Sequence, residues 1–182
     1  MRATVKHCPS VMIWGCFSHK GVGSLRILEP NQSMNSAWYV SILEKEVCDT
    51  LKMHFGGVHR GFFQDDGAPC HRSKVVIAKC QQLGIRVLEW PGQSPDCNPI
   101  ENLWAYLKQR VRLRNPLTVS ALKDAVRTVW NSEIPLHYCQ ALTASMPFRL
   151  KNVIRRRGFP TKYWSCCYSD CSDPLCSLCA FW

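Results

Sequence analysis

SPDCNPIENLW, residues 94–104, holds the clearest element boundary in the chain. Residues 94–97 have the composition of a loop, with Pro95 and Asp96 at its centre. Asn98, Pro99 and Glu101 then occupy the N-cap, N1 and N3 positions of a capping box, so the spacing predicts a helix start. Ile100, Leu103, Trp104, Leu107 and Val111 follow at i, i+3, i+4, i+7 and i+11, which is one apolar face of an amphipathic helix. A second face follows Thr118, with Leu122, Ala125, Val126, Val129 and Trp130. Residues 136–156 continue as helix, with a break expected at Pro147.

Upstream the period changes. VMIWGCFS (11–18) is a continuous apolar run with a Trp and β-branched residues, a buried strand. The turn signal HKGVG (19–23) separates it from SLRIL (24–28), which alternates like a paired strand and completes an antiparallel hairpin. From Ser36, Trp38, Ile42, Val47 and Leu51 fit one face of a helix to about residue 53, ended by Gly56 and Gly57. GFFQ (61–64) reads as a strand that stops at Asp65 and Asp66. Val75, Val76, Lys79, Cys80 and Leu83 fit a helix closed by Gly84. Residues 85–90 form another short strand before Pro91 and Gly92. The order is β-β-α-β-α-β-α-α-α, without internal repeats: an α/β layer architecture with a short mixed sheet flanked by helices.

The chain has 182 residues, 46% hydrophobic and 20% charged, which suits one domain with a real core and excludes a disordered or low-complexity class. No apolar run approaches the roughly 20 residues of a membrane span, and the N-terminus lacks a signal-peptide pattern, so a soluble intracellular protein is expected. The formal charge is +10, and its placement is uneven. Residues 102–163 hold 12 Lys and Arg against two acids, Asp124 and Glu133, while the remainder is neutral. Such a half suits a nucleic-acid partner through counterion release; it also suits a solvated basic face.

Cysteine usage divides the chain as well. Seven of the 12 Cys are scattered over residues 8–139 among apolar neighbours, as buried thiols are. Five crowd residues 164–182, where Cys176 and Cys179 form a CxxC able to offer two thiolates to zinc. Cys167 and Cys171 are four apart, no His is near, and a disordered tail appended to a domain at 1–163 is the reading that composition favours.

Asp66, at the end of a strand, and Glu101, in the first turn of a helix, stand out as carboxylates in positions where open α/β sheets present their sites. They are separated by 34 residues, and a helix, strand and loop can return the chain over the sheet. Paired carboxylates suit Mg²⁺ or Mn²⁺, and such a site implies carboxyl groups about 4–7 Å apart. Asp65-Asp66-Gly67 also has turn composition, Glu101 also suits a helix cap, and His71 is either a proton shuttle, a ligand or a polar residue at a helix start.

VKHCPSVMIWGCFSHKGVGSL, FFQDDGAPCH, LEWPGQSPDCNPIENLWAYLK and SMPFRLKNVIRRRGFPTKY together resemble the Tc1-like branch of the Tc1/mariner DDE transposases, in order from about Val5 to Tyr163. The resemblance implies an RNase H-like catalytic domain that cuts and joins DNA with Mg²⁺ or Mn²⁺. It assigns the second metal-binding acid to Asp66 and the third to Glu101. Gly67 stands where the family commonly has Asn. The family's first Asp lies on a strand upstream of the VMIWG-like one, whereas no acid precedes Val11 here. A catalytic domain without its first strand is therefore expected, silent in cleavage by itself; the alternative is a catalytically dead or domesticated nucleic-acid-binding remnant. Lys108 and Arg112 share the helix side of Glu101 and are expected to meet the DNA backbone. A nuclear location follows from the resemblance, which also leaves room for a homodimer.

Overall fold

A computed structural model describes residues 10–29, 32–89, 94–161 and 163. At its centre is the expected hairpin: β1 (Ile13–Ser18) pairs antiparallel with β2 (Gly21–Ile27), from Ile13 opposite Ile27 to Ser18 opposite Gly21. The turn is tighter than the composition suggested, so β2 begins at Gly21. The register slips between Gly15 and Phe17, leaving Gly23 and Ser24 opposite Cys16 alone. This bulge frees backbone groups for the flanking helices. The Gly23 carbonyl accepts the Trp130 indole N–H at 2.9 Å, and the Ser24 N–H reaches Thr50 Oγ1 at 3.1 Å.

One hairpin face is covered by a long helix in three parts: α1 (Ser36–Ile42), a π-helical turn (Leu43–Val47) and α2 (Cys48–Phe55). Of the expected face, Ile42, Val47 and Leu51 are buried as placed, and only Trp38 departs from it. Tyr39, Ile42 and Leu43 are fully buried, while Trp38 stays half-buried with the Arg26 guanidinium 5.0 Å over its ring. Arg26 also reaches Ser41 Oγ at 3.0 Å and Glu46 Oε2 at 3.3 Å, tying β2 to this helix.

Beyond a short 3₁₀ turn (Val58–Arg60), Phe63 and Val87 form a single parallel bridge, with Phe63 N–H to Arg86 O at 2.9 Å and Leu88 N–H to Phe63 O at 2.8 Å. The two expected strands thus shrink to this bridge around α3 (Lys74–Leu83), and the only multi-residue sheet among the described residues has two strands. Within α3, Val76 and Cys80 face inward, but Val75 is exposed. Residue 90, placed in the second strand, lies outside the described residues. The outer edge of β1 has no strand partner among them. Between that edge and Phe62–Gln64 lies a cavity of about 270 Å³, which Cys16, Phe17, Phe63, Gln64 and Pro99 help to line.

The opposite face of the hairpin is closed by α4 (Ile100–Arg112), α5 (Val119–Ser132) and α6 (Leu136–Ala144). The two expected apolar faces are met: all five α4 positions and all five α5 positions are buried. Burying each large aliphatic side chain contributes about 1.5–3 kcal/mol. Trp104 and Trp130 stack with centroids 5.2 Å apart directly over Gly15. A Cβ at Gly15 would lie 2.9 Å from both indoles, so the hairpin carries no side chain where the two helices meet it.

The capping box is not formed. Pro99 takes the N-cap position with helical dihedrals and makes no side-chain cap bond. Asn98 instead closes a 3₁₀ turn (Pro95–Cys97), with its buried Oδ1 lacking a hydrogen-bond partner among the described residues. The later break falls at Ser145, and Pro147 sits in the first turn of α7 (Met146–Arg155), where a missing N–H costs nothing. The Cys-rich stretch lies outside the described residues. None of the described helices is long and apolar enough to cross a membrane.

Candidate active site

Asp66 sits just past the Phe63 bridge, where the chain turns toward α3. Its Oδ1 accepts the Ala68 N–H at 2.9 Å and lies 2.9 Å from His71 Nδ1. The His71 side chain is wholly buried, and its ring stacks on Tyr39 with centroids 3.9 Å apart. Burial drives the Tyr39 hydroxyl well above its ordinary pKa, so the ring pair rests on a neutral phenol. His71 is therefore packed before α3 begins, not at a helix start; Ser73 provides that N-cap.

The Asp66 side chain is 30% exposed, and its Oδ2 makes no hydrogen bond to a described residue. Asp65 is different. It is buried, its Oδ1 accepts the Gly67 N–H at 2.9 Å, and burial raises its carboxyl pKa. Asp65 lines a separate cavity between α3 and residues 85–89. Gly67 has φ +70°, and a Cβ there would approach the Arg72 guanidinium to 2.8 Å, so an Asn at this position would require Arg72 to move.

Glu101 is half-buried in the first turn of α4. The segment before it is tied to the Asp66 segment, because Gln64 Nε2 donates to the Cys97 carbonyl at 3.3 Å. It is also tied to α7. Arg149, 2% exposed, donates to Asp96 O at 3.0 Å, Asn102 Oδ1 at 2.6 Å and Ser145 Oγ at 2.8 Å, and lies 4.1 Å from the Tyr163 ring. Asp96 Oδ2 accepts the Thr161 N–H at 3.2 Å, which makes this acid a buried structural group. No cluster of three His, Cys, Asp or Glu able to hold a metal exists among the described residues. Lys108 is half-buried and Arg112 exposed further along α4, on the Glu101 side.

The contacts made by Arg149 and Tyr39 were not readable from the sequence. Arg149 stands in a helix with exposed apolar neighbours, and only the folded chain shows it pointing inward.

Residues 3–123 match the DDE superfamily endonuclease family. The chain is 37% identical over 162 residues to the Tc1 transposase of Caenorhabditis elegans, covering 88% of this chain and 57% of that protein. The chain thus spans rather more than half the length of the curated relatives it matches. A structure of the Mos1 transposase catalytic domain with raltegravir and Mn superposes with a TM-score of 0.69 at 18% identity over 88% of both chains. The Mos1 paired-end complex with the left transposon end gives 0.67 at 20% identity, over 82% of this chain and 44% of that one. The fold is therefore that of a transposase catalytic domain, and by sequence the chain belongs to the DDE superfamily endonucleases, in their Tc1-like transposase branch.

Proposed function

We propose that this chain contributes two carboxylates, Asp66 and Glu101, to a divalent-metal site that cuts and joins DNA during transposition. The observation that carries the reading is the state of Asp66: one oxygen accepts the Ala68 N–H and lies 2.9 Å from His71 Nδ1, while the other makes no hydrogen bond to a described residue on a side chain that is 30% exposed. That donor chemistry fits Mg²⁺ or Mn²⁺, which take carboxylate oxygens and keep several waters. When bound, such an ion supplies activation of an attacking oxygen and stabilisation of the leaving oxygen in phosphodiester chemistry. The chain's own part is to present Asp66 Oδ2 and the Glu101 carboxylate from two segments joined by the Gln64–Cys97 hydrogen bond. Lys108 and Arg112 on α4 meet the sugar–phosphate backbone, and the substrate is nuclear DNA.

A third acid beside Asp66 and Glu101 would have to be brought in by a further extended segment. Two features leave room for such a segment: the outer edge of β1, which has no strand partner among the described residues, and the cavity between that edge and Phe62–Gln64. An extended segment there would satisfy the backbone of β1 and place an acid beside Gln64 and Asp66.

The test is calorimetric titration with Mn²⁺ together with a nicking assay. The 182-residue chain is expected to bind Mn²⁺ weakly, to lose that binding on Asp66→Asn or Glu101→Gln, and to leave DNA uncut. Mg²⁺-dependent cleavage by the chain alone, abolished by Asp66→Asn, would mean that Asp65 or Asp96 completes the site. Mn²⁺ binding unaffected by either substitution would overturn the assignment.

A further inference from the structure

We propose that Arg155, Arg156 and Arg157, where α7 ends, form a second contact for the sugar–phosphate backbone of nucleic acid, distinct from Lys108 and Arg112. This rests on the DNA-directed reading above.

The fold leaves part of the basic charge after Asn102 without a nearby acid. Of the basic residues after Asn102, Arg127 pairs with Asp124, Arg110 and Arg114 with Glu133, and Lys123 with Glu29. Both acids of residues 102–163 are thereby engaged. Arg155, Arg156, Arg157 and Lys151 are exposed and have no ion pair among the described residues. A local excess of this kind gathers phosphates by counterion release.

The second observation is the inverted character of α7. Its one buried residue is the charged Arg149, whereas Ile154 is 76% exposed and Phe159, just beyond the helix, is 69% exposed. Cations at a helix C-terminus complement its dipole, which accounts for the arginines but not for apolar groups held in water beside them. Guanidinium groups next to an exposed ring suit a nucleotide backbone, where phosphate oxygens alternate with flat sugar and base faces.

The third is rigidity and place. Arg149 bolts α7 to Asp96 and Asn102, the residue after Glu101. At about 1.5 Å per residue, Arg155 at the end of α7 lies roughly 9 Å further along that axis, and Arg156 and Arg157 follow it directly. The helix then closes sharply: Gly158 N–H bonds to Val153 O at 3.0 Å, and Arg157 and Gly158 take φ of 53° and 83°. A left-handed conformation is uncommon for Arg, and it fixes the triplet around the helix end. A polyanion bound at the Glu101 end of α4 thus has a rigid basic arm beside it.

The test titrates the 182-residue chain with fluorescently labelled duplex DNA over a range of salt concentrations, alongside R155Q/R156Q/R157Q, K108Q/R112Q and the five-fold variant. Each lost phosphate contact removes about 0.9 from the slope of log K against log salt. The triple variant is expected to lower the magnitude of that slope by about 2.7 and to weaken binding at least tenfold near 100 mM salt. Its melting temperature should not change, and the five-fold variant should be weaker still. Unchanged slope and affinity in the triple variant, with K108Q/R112Q impaired, overturns this inference and leaves the α4 contact standing. Absence of DNA binding by the unsubstituted chain overturns the DNA-directed reading itself. If the triple variant loses binding to phosphatidylserine vesicles but keeps its DNA affinity, the patch serves a lipid surface and the inference fails.

Discussion

His71 Nδ1 stands 2.9 Å from Asp66 Oδ1 while the same imidazole lies flat on Tyr39, 3.9 Å between ring centres. The packed ring and the Ala68 N–H together bracket one oxygen and restrict rotation of the carboxylate. Its second oxygen therefore presents a preferred direction to a cation, and outer groups of this kind set metal affinity as strongly as many ligands do.

His71→Phe keeps an aromatic ring against Tyr39 but removes the nitrogen. Mn²⁺ affinity is expected to fall by about 10-fold or more. His71→Asn, whose amide can take the place of Nδ1, should recover part of it. Titration calorimetry reads both, and equal Mn²⁺ affinity in the wild type and His71→Phe would remove His71 from the site.

Arg149→Met leaves Asp96 O, Asn102 Oδ1 and Ser145 Oγ without their donor. One buried and two partly buried acceptors lose a charged donor, and a buried acceptor left unpaired costs about 1–3 kcal/mol, so a loss of about 3 kcal/mol in urea denaturation is expected. A loss under about 1 kcal/mol would mean that water replaces the guanidinium.

Gly15→Ala places a methyl group 2.9 Å from two stacked, buried indoles. Overpacking of this type costs about 1–3 kcal/mol. The change should show as a lower melting temperature and altered Trp fluorescence, whereas an unaltered spectrum would mean that the hairpin shifts away from α4 and α5 instead.

Burial pushes the Cys16 thiol up from 9.0 to about 11, with Thr50 Oγ1 3.4 Å from its sulfur. The folded state holds this proton more tightly than the unfolded chain. The resulting stability is complete below pH 9 and is lost as pH rises toward 11. In a Cys16→Ala variant, stability should decline less between pH 9 and 11. At pH 8 the native chain should resist maleimide at Cys16, and rapid labelling there without unfolding would contradict the burial.

The periodic part of the fold was written in the sequence. The i, i+3, i+4 faces of α4 and α5 and the apolar run of β1 are buried where the pattern placed them, because hydrophobic burial acts residue by residue along one element. The spacing of Asp66 and Glu101 and the motifs around them likewise sufficed to assign the family, since those signals are local. Tertiary structure decided the rest. The Asn98-Pro99-x-Glu101 pattern suits a capping box, yet Asn98 is drawn into the 3₁₀ turn that Gln64 holds at Cys97 and Arg149 holds at Asp96. The Phe63 and Val87 segments carry strand composition but keep a single bridge, because strand length depends on a neighbour and the sequence of one strand cannot supply it. The inward turn of Arg149 was hidden for a related reason. A buried cation is tolerated only where several acceptors converge, and here they come from residues 96, 102 and 145, which only the folded chain brings to one point.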